Sequence, residues 1–269
     1  MLHSFLAKFA PLFKKAFDPK IRLMKILVCI SKTPDTTSKI AFTDGNKKFD
    51  ENGVQFIINP YDEWYALVRA LELTENGQGQ CTIITVGGAD CEPVIRKALA
   101  IGADEAVRVD ATAGDAGYVA AQIAEYARGK GFDIIMTGKE TIDYNGGIVG
   151  GMVAEMLGLP YVSLVTKLDV SGGTATLVRD IQGGEEVLEV TGPFVLSAAK
   201  GMAEQRIPNM RGIMAARTKP LNVVAPAAVD NATEVVVYEL PPAKQGCKYI
   251  DPANAAELIQ LLHSEAKVI

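Results

Sequence analysis

The stretch QCTIITVGGADCEPVIRKALAIGADEAVRVD, residues 80–110, decides the architecture. QCTIITVGG (80–88) reads as an apolar strand ending in a glycine turn. ADCEPVIRKALAIG (89–102) reads as a helix with Asp90 placed to cap it and Pro93 in its first turn, and DEAVRVD (104–110) as the next strand. Strand, helix and strand in close succession is the unit that joins parallel neighbours in a sheet. Upstream, MKILVCI (24–30) is a buried strand and SKTPDTTSK (31–39) the loop at its carboxyl end. After the break at Asn59-Pro60, YDEWYALVRALELTE (61–75) repeats Trp64, Leu67, Val68 and Leu71 at helical spacing. Downstream, AGYVAAQIAEYARGKG (116–131) is a helix, FDIIMTG (132–138) a strand and GGIVGGMVAEMLGLP (146–160) a helix. The expected fold class is therefore α/β, a Rossmann-like open, mostly parallel sheet flanked by helices.

After Pro160 the pattern changes. Residues 161–198 alternate apolar and polar side chains around Gly-Gly turns at 172–173 and 183–184, which predicts an antiparallel hairpin set. NMRGIMAARTK (209–219) reads as a helix and PANAAELIQLLHSEA (252–266) as a terminal one. Residues 220–248 lack the apolar density of a core element, so 24–219 is expected to form the α/β domain and 220–269 an arm lying on another subunit. Residues 1–23 mix Leu2, Phe5, Leu6, Phe9, Leu12, Phe13 and Phe17 with five cations and read as a short basic amphipathic helix broken by Pro11. They lack the apolar core and cleavage site of a signal peptide. Membrane-surface binding, a flexible extension and a true start at Met24 all stay open for them.

Composition narrows the function. With 48% hydrophobic and 22% charged residues the chain is an ordinary globular one, and 27 Lys and Arg against 32 Asp and Glu leave a net charge of −5. No basic excess points to nucleic acid. No apolar run approaches the roughly 18 residues of a membrane span. Cys29, Cys81, Cys91 and Cys247 form no C-x-x-C pair, and His3 and His263 lie near the ends, which argues against zinc clusters and most histidine-based catalysis. Reduced thiols fit a cytoplasmic setting.

In open parallel sheets ligands bind at the carboxyl ends of the strands, so loops 31–39, 59–61, 87–90 and 138–147 are the ones that matter. GKETIDYNGGIVGG (138–151) is the most informative, because a strand leads through a turn into a glycine-rich helix start. Glycines there either let backbone amides and the helix dipole hold a phosphate or permit tight packing of helix on sheet. Neither G-x-G-x-x-G after the first strand nor G-x-x-x-x-G-K-[ST] is present. No nucleophile stands beside a base. Cys29 reads as packing and Glu185-Glu186 as a solvated pair. The residues thus point to a nucleotide-binding domain with no catalytic group and no metal site of its own.

The ordered motifs MKILVCISKTPDT, INPYDEWYAL, VGGADCEPVIRKALAIGADEAVRV, TGKETIDYNGG, VRDIQGGEEVLEVTGPFVLSAA and AEQRIPNMRGIMAARTKP resemble the beta subunits of electron transfer flavoproteins across residues 24–269. That resemblance implies a heterodimer with a larger alpha subunit that holds the redox-active FAD, the beta subunit burying AMP or, in an electron-bifurcating branch, a second FAD. It implies electrons taken from acyl-CoA and related dehydrogenases, as in fatty acid beta-oxidation, and passed to a quinone oxidoreductase. By similarity Cys29, Val86 and Asn59 flank an adenosine, and Thr141, Asp143, Gly146, Gly147, Ile148, Val149 and Gly150 surround its phosphate. Family members with AMP commonly carry polar side chains where this chain has Gly147, Ile148 and Val149, so backbone amides must supply most contacts here. Thr36 and Tyr61 resemble residues facing the alpha-subunit flavin, the alternative for Tyr61 being packing under its own helix. Asp180 matches an acid that pairs with an alpha-subunit arginine, or is simply a solvated strand carboxylate. Segment 206–215 resembles a loop that docks into dehydrogenases, with Met210 as apolar anchor flanked by Arg206 and Arg211; otherwise Met210 is a core residue of a short helix. A stand-alone nucleotide-binding regulatory module similar to universal stress proteins is the alternative from another class.

Overall fold

In the first strand, β1 (Met24–Cys29), Ile26 and Val28 join one buried cluster while Leu27 and Cys29 join another. Successive side chains of a strand leave on opposite faces, so a strand apolar on both must lie inside a sheet covered on both sides. The computed structural model describes residues 23–112, 114–244 and 246–269. The amphipathic stretch expected over 1–23 lies outside these but for Leu23, which is exposed.

Two short pairs follow β1: β2 (Lys32–Pro34) with β5 (Phe56–Ile58), and the hairpin of β3 (Phe42–Thr43) and β4 (Lys48–Phe49). Helix α1 (Asp62–Thr74) leads to β6 (Gly79–Val86), α2 (Glu92–Ile101) to β7 (Glu105–Val109), α3 (Ala116–Ala127) to β8 (Ile134–Gly138), and α4 (Val149–Leu157) to β9 (Tyr161–Ser171). β10 (Thr174–Ile181), β11 (Gly184–Thr191), β12 (Phe194–Ala198), α5 (Met210–Ala216), β13 (Leu221–Val224) and α6 (Ala255–Leu261) complete the order. The main sheet runs β11-β10-β9-β12-β8-β1-β6-β7-β13. Only the β9/β10 and β10/β11 pairs are antiparallel. α1 and α2 pack on one face, α3 and α4 on the other. The chain steps outward from β1 through β6 to β7 and then returns to β8 on the far side, so the strand order reverses between β1 and β8. The crevice that such a reversal opens lies at the carboxyl ends of those two strands.

Several expectations need correction. The hairpin set ends at β11. FVLSA (Phe194–Ala198) is fully buried and inserts parallel to both β8 and β9, as its unbroken apolar run requires. LNVV (Leu221–Val224), read as part of an arm, is the parallel edge strand beside β7, and its partial exposure reflects a strand paired on one side only. The loop 31–39 contains β2. Asp90 does not cap α2: it sits in a 3-10 turn, Ala89–Cys91, and its carboxylate is held by the Lys32 ammonium. The helix expected from 146 starts at Val149, because Gly147 takes a left-handed φ of 64° that ends any helical run through it. The terminal helix is three short pieces, the 3-10 turn Pro252–Asn254, α6 and the π turn Leu262–Ala266.

Two compact units emerge. Residues up to Ala41 together with Asp50–Val235 make the α/β unit, and Phe42–Phe49 groups with Val236–Ile269. Within the second, Phe42 stacks on Tyr238 with ring centroids 4.8 Å apart and the Tyr238 N–H donates to the Asn46 carbonyl at 2.7 Å. Cys29, Cys81 and Cys91 are buried and Cys247 is exposed.

Candidate functional site

The turn Asn59–Pro60–Tyr61–Asp62–Glu63 lies at the reversal point and fastens the loops on both sides of it. Asn59, fully buried, donates from Nδ2 to the Glu140 carbonyl at 2.8 Å and accepts at Oδ1 from the Ile142 N–H at 3.2 Å. Asp62 Oδ2 accepts from the Glu140 N–H at 3.4 Å. Glu63 turns the other way: its carboxylate accepts from the Ser31 N–H at 2.7 Å and from the Ser31 hydroxyl at 2.5 Å. Gly138, the last residue of β8, leaves no room for a side chain, since a Cβ there would stand 2.8 Å from Glu63 Cγ. Five residues of sequence thereby set the spacing between the segment after β1 and the segment after β8.

The electrostatics are set by burial. Glu63 is pushed up to about 7 by removal from water, Asp143 and Asp62 adding to the rise and the Ser31 hydrogen bonds opposing it. Asp62 is raised by burial and restrained by Lys139 and the Glu140 amide. The Cys29 thiol is pushed far up by burial and by Glu63, so it is no nucleophile. Lys139 pairs with Glu140 at 2.9 Å.

The glycine-rich segment separates into two kinds of glycine. Gly146 has nothing within 4 Å of a notional Cβ, and Gly147 has the left-handed φ noted above; both are exposed. Gly150 is buried, and a Cβ there would stand 2.6 Å from Thr137 Oγ1 and 3.0 Å from the Tyr161 ring. The packing reading of the run holds at Gly150, while Gly146 and Gly147 leave their backbone exposed. Ile148 caps α4 with no side-chain hydrogen bond, and Val149, half-buried, opens the first turn. Thr141 accepts the Asn145 N–H at its carbonyl at 2.9 Å, and Asp143 Oδ1 accepts the Tyr144 N–H at 3.0 Å. A helix start whose N-cap makes no side-chain bond, an open glycine pair and a threonine on the same segment suit an anionic oxygen group such as a phosphate.

Asn59 is bonded to both neighbours of Thr141, through the Glu140 carbonyl and the Ile142 N–H; Asp143 and residues 146–148 are exposed further along the same segment, and Gly150 is buried against Thr137. Cys29 is 7% exposed at the end of β1, and Val86, half-buried, ends the adjacent β6. Thr36 is exposed, and Tyr61 is 52% exposed rather than packed beneath α1. Asp180 is exposed on β10 directly across from Glu185 on β11. Among the described residues no His, Cys, Asp and Glu group could hold a metal ion, and no helix is long and apolar enough to cross a membrane.

A second surface is built on α1 and α2. Ile207, Met210 and Met214 are largely exposed, Met210 at 73%, which rules out its reading as a core residue. Their segment is nonetheless held firmly. Asn209 caps α5 by accepting the Gly212 N–H at 2.8 Å, and Gly212 lies so close to the Ala100 carbonyl that a Cβ would stand 2.3 Å from its oxygen. Arg96 donates to the Ala216 and Lys219 carbonyls, and the Lys219 ammonium donates to the carbonyls of Leu99, Gly102 and Ala103, which closes the carboxyl end of α2. Trp64 Nε1 donates to the Arg206 carbonyl at 3.3 Å and Gln205 Nε2 to the Pro60 carbonyl at 2.5 Å. Arg206 pairs with Glu75 of its own chain, whereas Arg211 is exposed. Sequence reasoning missed Glu63, Gln205 and Lys219. The signal for Glu63 was the adjacent acids opening α1 beside Trp64 and Leu67, on a helix face that must be buried.

The electron transfer flavoprotein domain family matches residues 47–229. The electron transfer flavoprotein subunit beta of Syntrophomonas wolfei is 38% identical over 250 residues, covering 91% of this chain and 98% of that one. The subunit of the same name from Bacillus subtilis is 36% identical over 260 residues, covering 91% and 100%. That from Bradyrhizobium diazoefficiens is 30% identical over 253 residues, covering 91% and 100%.

Proposed function

We propose, because the chain belongs to the electron transfer flavoprotein family and matches its beta subunits over most of its length, that it pairs with an alpha subunit and binds AMP in the crevice between β1 and β8. The observation that carries this reading is the turn 59–63, which holds both loops of the reversal point in direct hydrogen bonds, the loop after β8 leading on into the amino end of α4, whose N-cap Ile148 makes no side-chain bond. The amides of residues 146–150 and Thr141 take the phosphate, and Asn59, Cys29 and Val86 border the adenosine. Thr36 and Tyr61, exposed beside the crevice, shield the FAD that the alpha subunit brings. The redox chemistry is the flavin's; this chain excludes water from it and positions it. Asp180 meets an arginine of the alpha subunit.

The α/β unit that runs to Val235 serves as the nucleotide-binding domain and 236–269 as the arm packed on the alpha subunit. Val235, Val236, Val237, Leu240 and Tyr249 are exposed, more apolar surface in one stretch than an isolated chain usually shows. Met210, with Arg211 beside it, docks acyl-CoA and related dehydrogenases, and a quinone oxidoreductase receives the electrons, all in the cytoplasm. Coexpression with the alpha subunit, followed by denaturation and counting of the released nucleotides, tests the reading. A single AMP and a single FAD per heterodimer are expected. Two FAD molecules would place the chain in the bifurcating branch, and a heterodimer free of nucleotide on this subunit would overturn the assignment. A chain that binds ATP alone, with no alpha subunit and no electron transfer, would be the regulatory module instead.

A further inference from the structure

Between Ser31 after β1 and Gly138 at the end of β8 lies an acid for which nucleotide binding has given no use. Glu63 is 4% exposed. The groups that face it are the Ser31 N–H and hydroxyl from the segment after β1, the Cys29 thiol from β1, Asp62 from its own helix, Asp143 from the loop after β8, and the backbone of Gly138 at the end of β8. The charges that act on it most, Asp143 and Asp62, share its sign.

We infer that binding of an anionic nucleotide in this crevice draws a proton from solvent onto Glu63. The inference rests on the nucleotide reading above. Asp143 stands on the same loop that would receive the phosphate, and its charge already reaches Glu63; a phosphate on that loop adds negative charge from the same side. In a buried setting such charges are weakly screened. Burial already pushes the Glu63 carboxyl up to about 7, so any further rise falls across the neutral range. Ser31 lets the change occur without breaking the loop contact. Its hydroxyl donates to the ionised carboxylate and turns to accept from the protonated one, while its N–H keeps the other oxygen. Linkage then requires affinity to rise as pH falls, by at most about tenfold per pH unit.

The test is calorimetric titration of AMP into the heterodimer stripped of nucleotide, in buffers of different ionisation heat, from about pH 6 to about pH 9. The nucleotide's own phosphate titrates near pH 6 and contributes equally to every variant, so the difference between proteins is the readout. Wild type should take up a fraction of a proton more than Glu63→Gln, with its maximum near neutrality. Ser31→Ala, which removes a donor that favours the ionised form, should move that maximum to higher pH. Equal proton uptake by wild type and Glu63→Gln overturns the inference. So does an unmoved maximum in Ser31→Ala, which decides the matter if Glu63→Gln does not fold. Saturable binding without the proton difference leaves the nucleotide reading standing, whereas absence of AMP binding by wild type overturns that reading and this inference together.

Discussion

At the scale of single residues, the glycines of the loop before α4 should behave unequally. Gly150→Ala forces a Cβ to within 2.6 Å of Thr137 Oγ1 and lifts α4 from the sheet, an overpacking that costs roughly 1–3 kcal/mol. Gly147→Ala makes an ordinary 3.6 Å contact with the Lys139 carbonyl but must hold a left-handed φ, which costs roughly 1–2 kcal/mol. Gly146→Ala meets neither problem and should stay within about 0.5 kcal/mol of wild type. Urea midpoints of the three variants check the order. Glu63 makes a pH prediction of its own. Its carboxyl ionises at 4.5 in the unfolded chain and at about 7 in the fold, so between these values the unfolded state holds fewer protons. Stability from this group is therefore full below pH 4.5 and lost as pH rises through 7, a swing of roughly 3 kcal/mol. Denaturant unfolding of wild type and Glu63→Gln across that window should show the wild-type loss and a flatter curve for the variant.

At the scale of elements, exposure separates α5 from the core. Met210 is 73% exposed, so Met210→Ala should leave the melting temperature unchanged within about 0.5 kcal/mol of stability. If the methionine anchors dehydrogenases, the same variant slows electron acceptance through weaker binding, by roughly 1–3 kcal/mol. An early melt at full affinity would remove the docking role. The elements also show what the sequence made legible. The unit 80–110 keeps its strand–helix–strand order, its strands marked by apolar runs between glycine turns and its helix by period, although α2 starts only at Glu92. β12 was absorbed into the hairpins because FVLSA, buried on both faces, has no alternation to read. β13 was taken for arm because its four residues, LNVV, are set in a Pro- and Ala-containing stretch that hides a short edge strand. The helix start at Asp90 misled because Lys32, distant in sequence, takes the carboxylate that a local rule assigns to the cap. Tertiary partners of this kind decide Lys219 as well, and no local pattern reports it.

At the scale of the whole molecule, one acid pins the chain where it leaves the α/β unit. Asp115 caps α3 through the Tyr118 N–H and also accepts from the N–H groups of Ala232 and Thr233 at 2.6 and 2.7 Å. These donors hold its carboxyl below the usual range. Asp115→Ala should free residues 231–235 and expose them to limited proteolysis, with weaker association of the alpha subunit; a digestion pattern identical to wild type would show the pin to be dispensable. The crevice itself was half legible. Its loops followed from the strand order, whereas the buried turn that spaces them became visible only with Glu63 folded inward.

The burial of the thiols turns the chain into its own clock. Of the four cysteines only Cys247 meets solvent, so an alkylating reagent should mark the native chain once and the denatured chain at every sulfur. Cys29, at the edge of the crevice, and Cys81, deep in the sheet, both have thiols made inert by burial. The order in which they become reactive in sub-denaturing urea would tell whether the crevice opens before the sheet or only with it. Cys29 modified ahead of Cys81 means local opening, and simultaneous modification means a single cooperative unit.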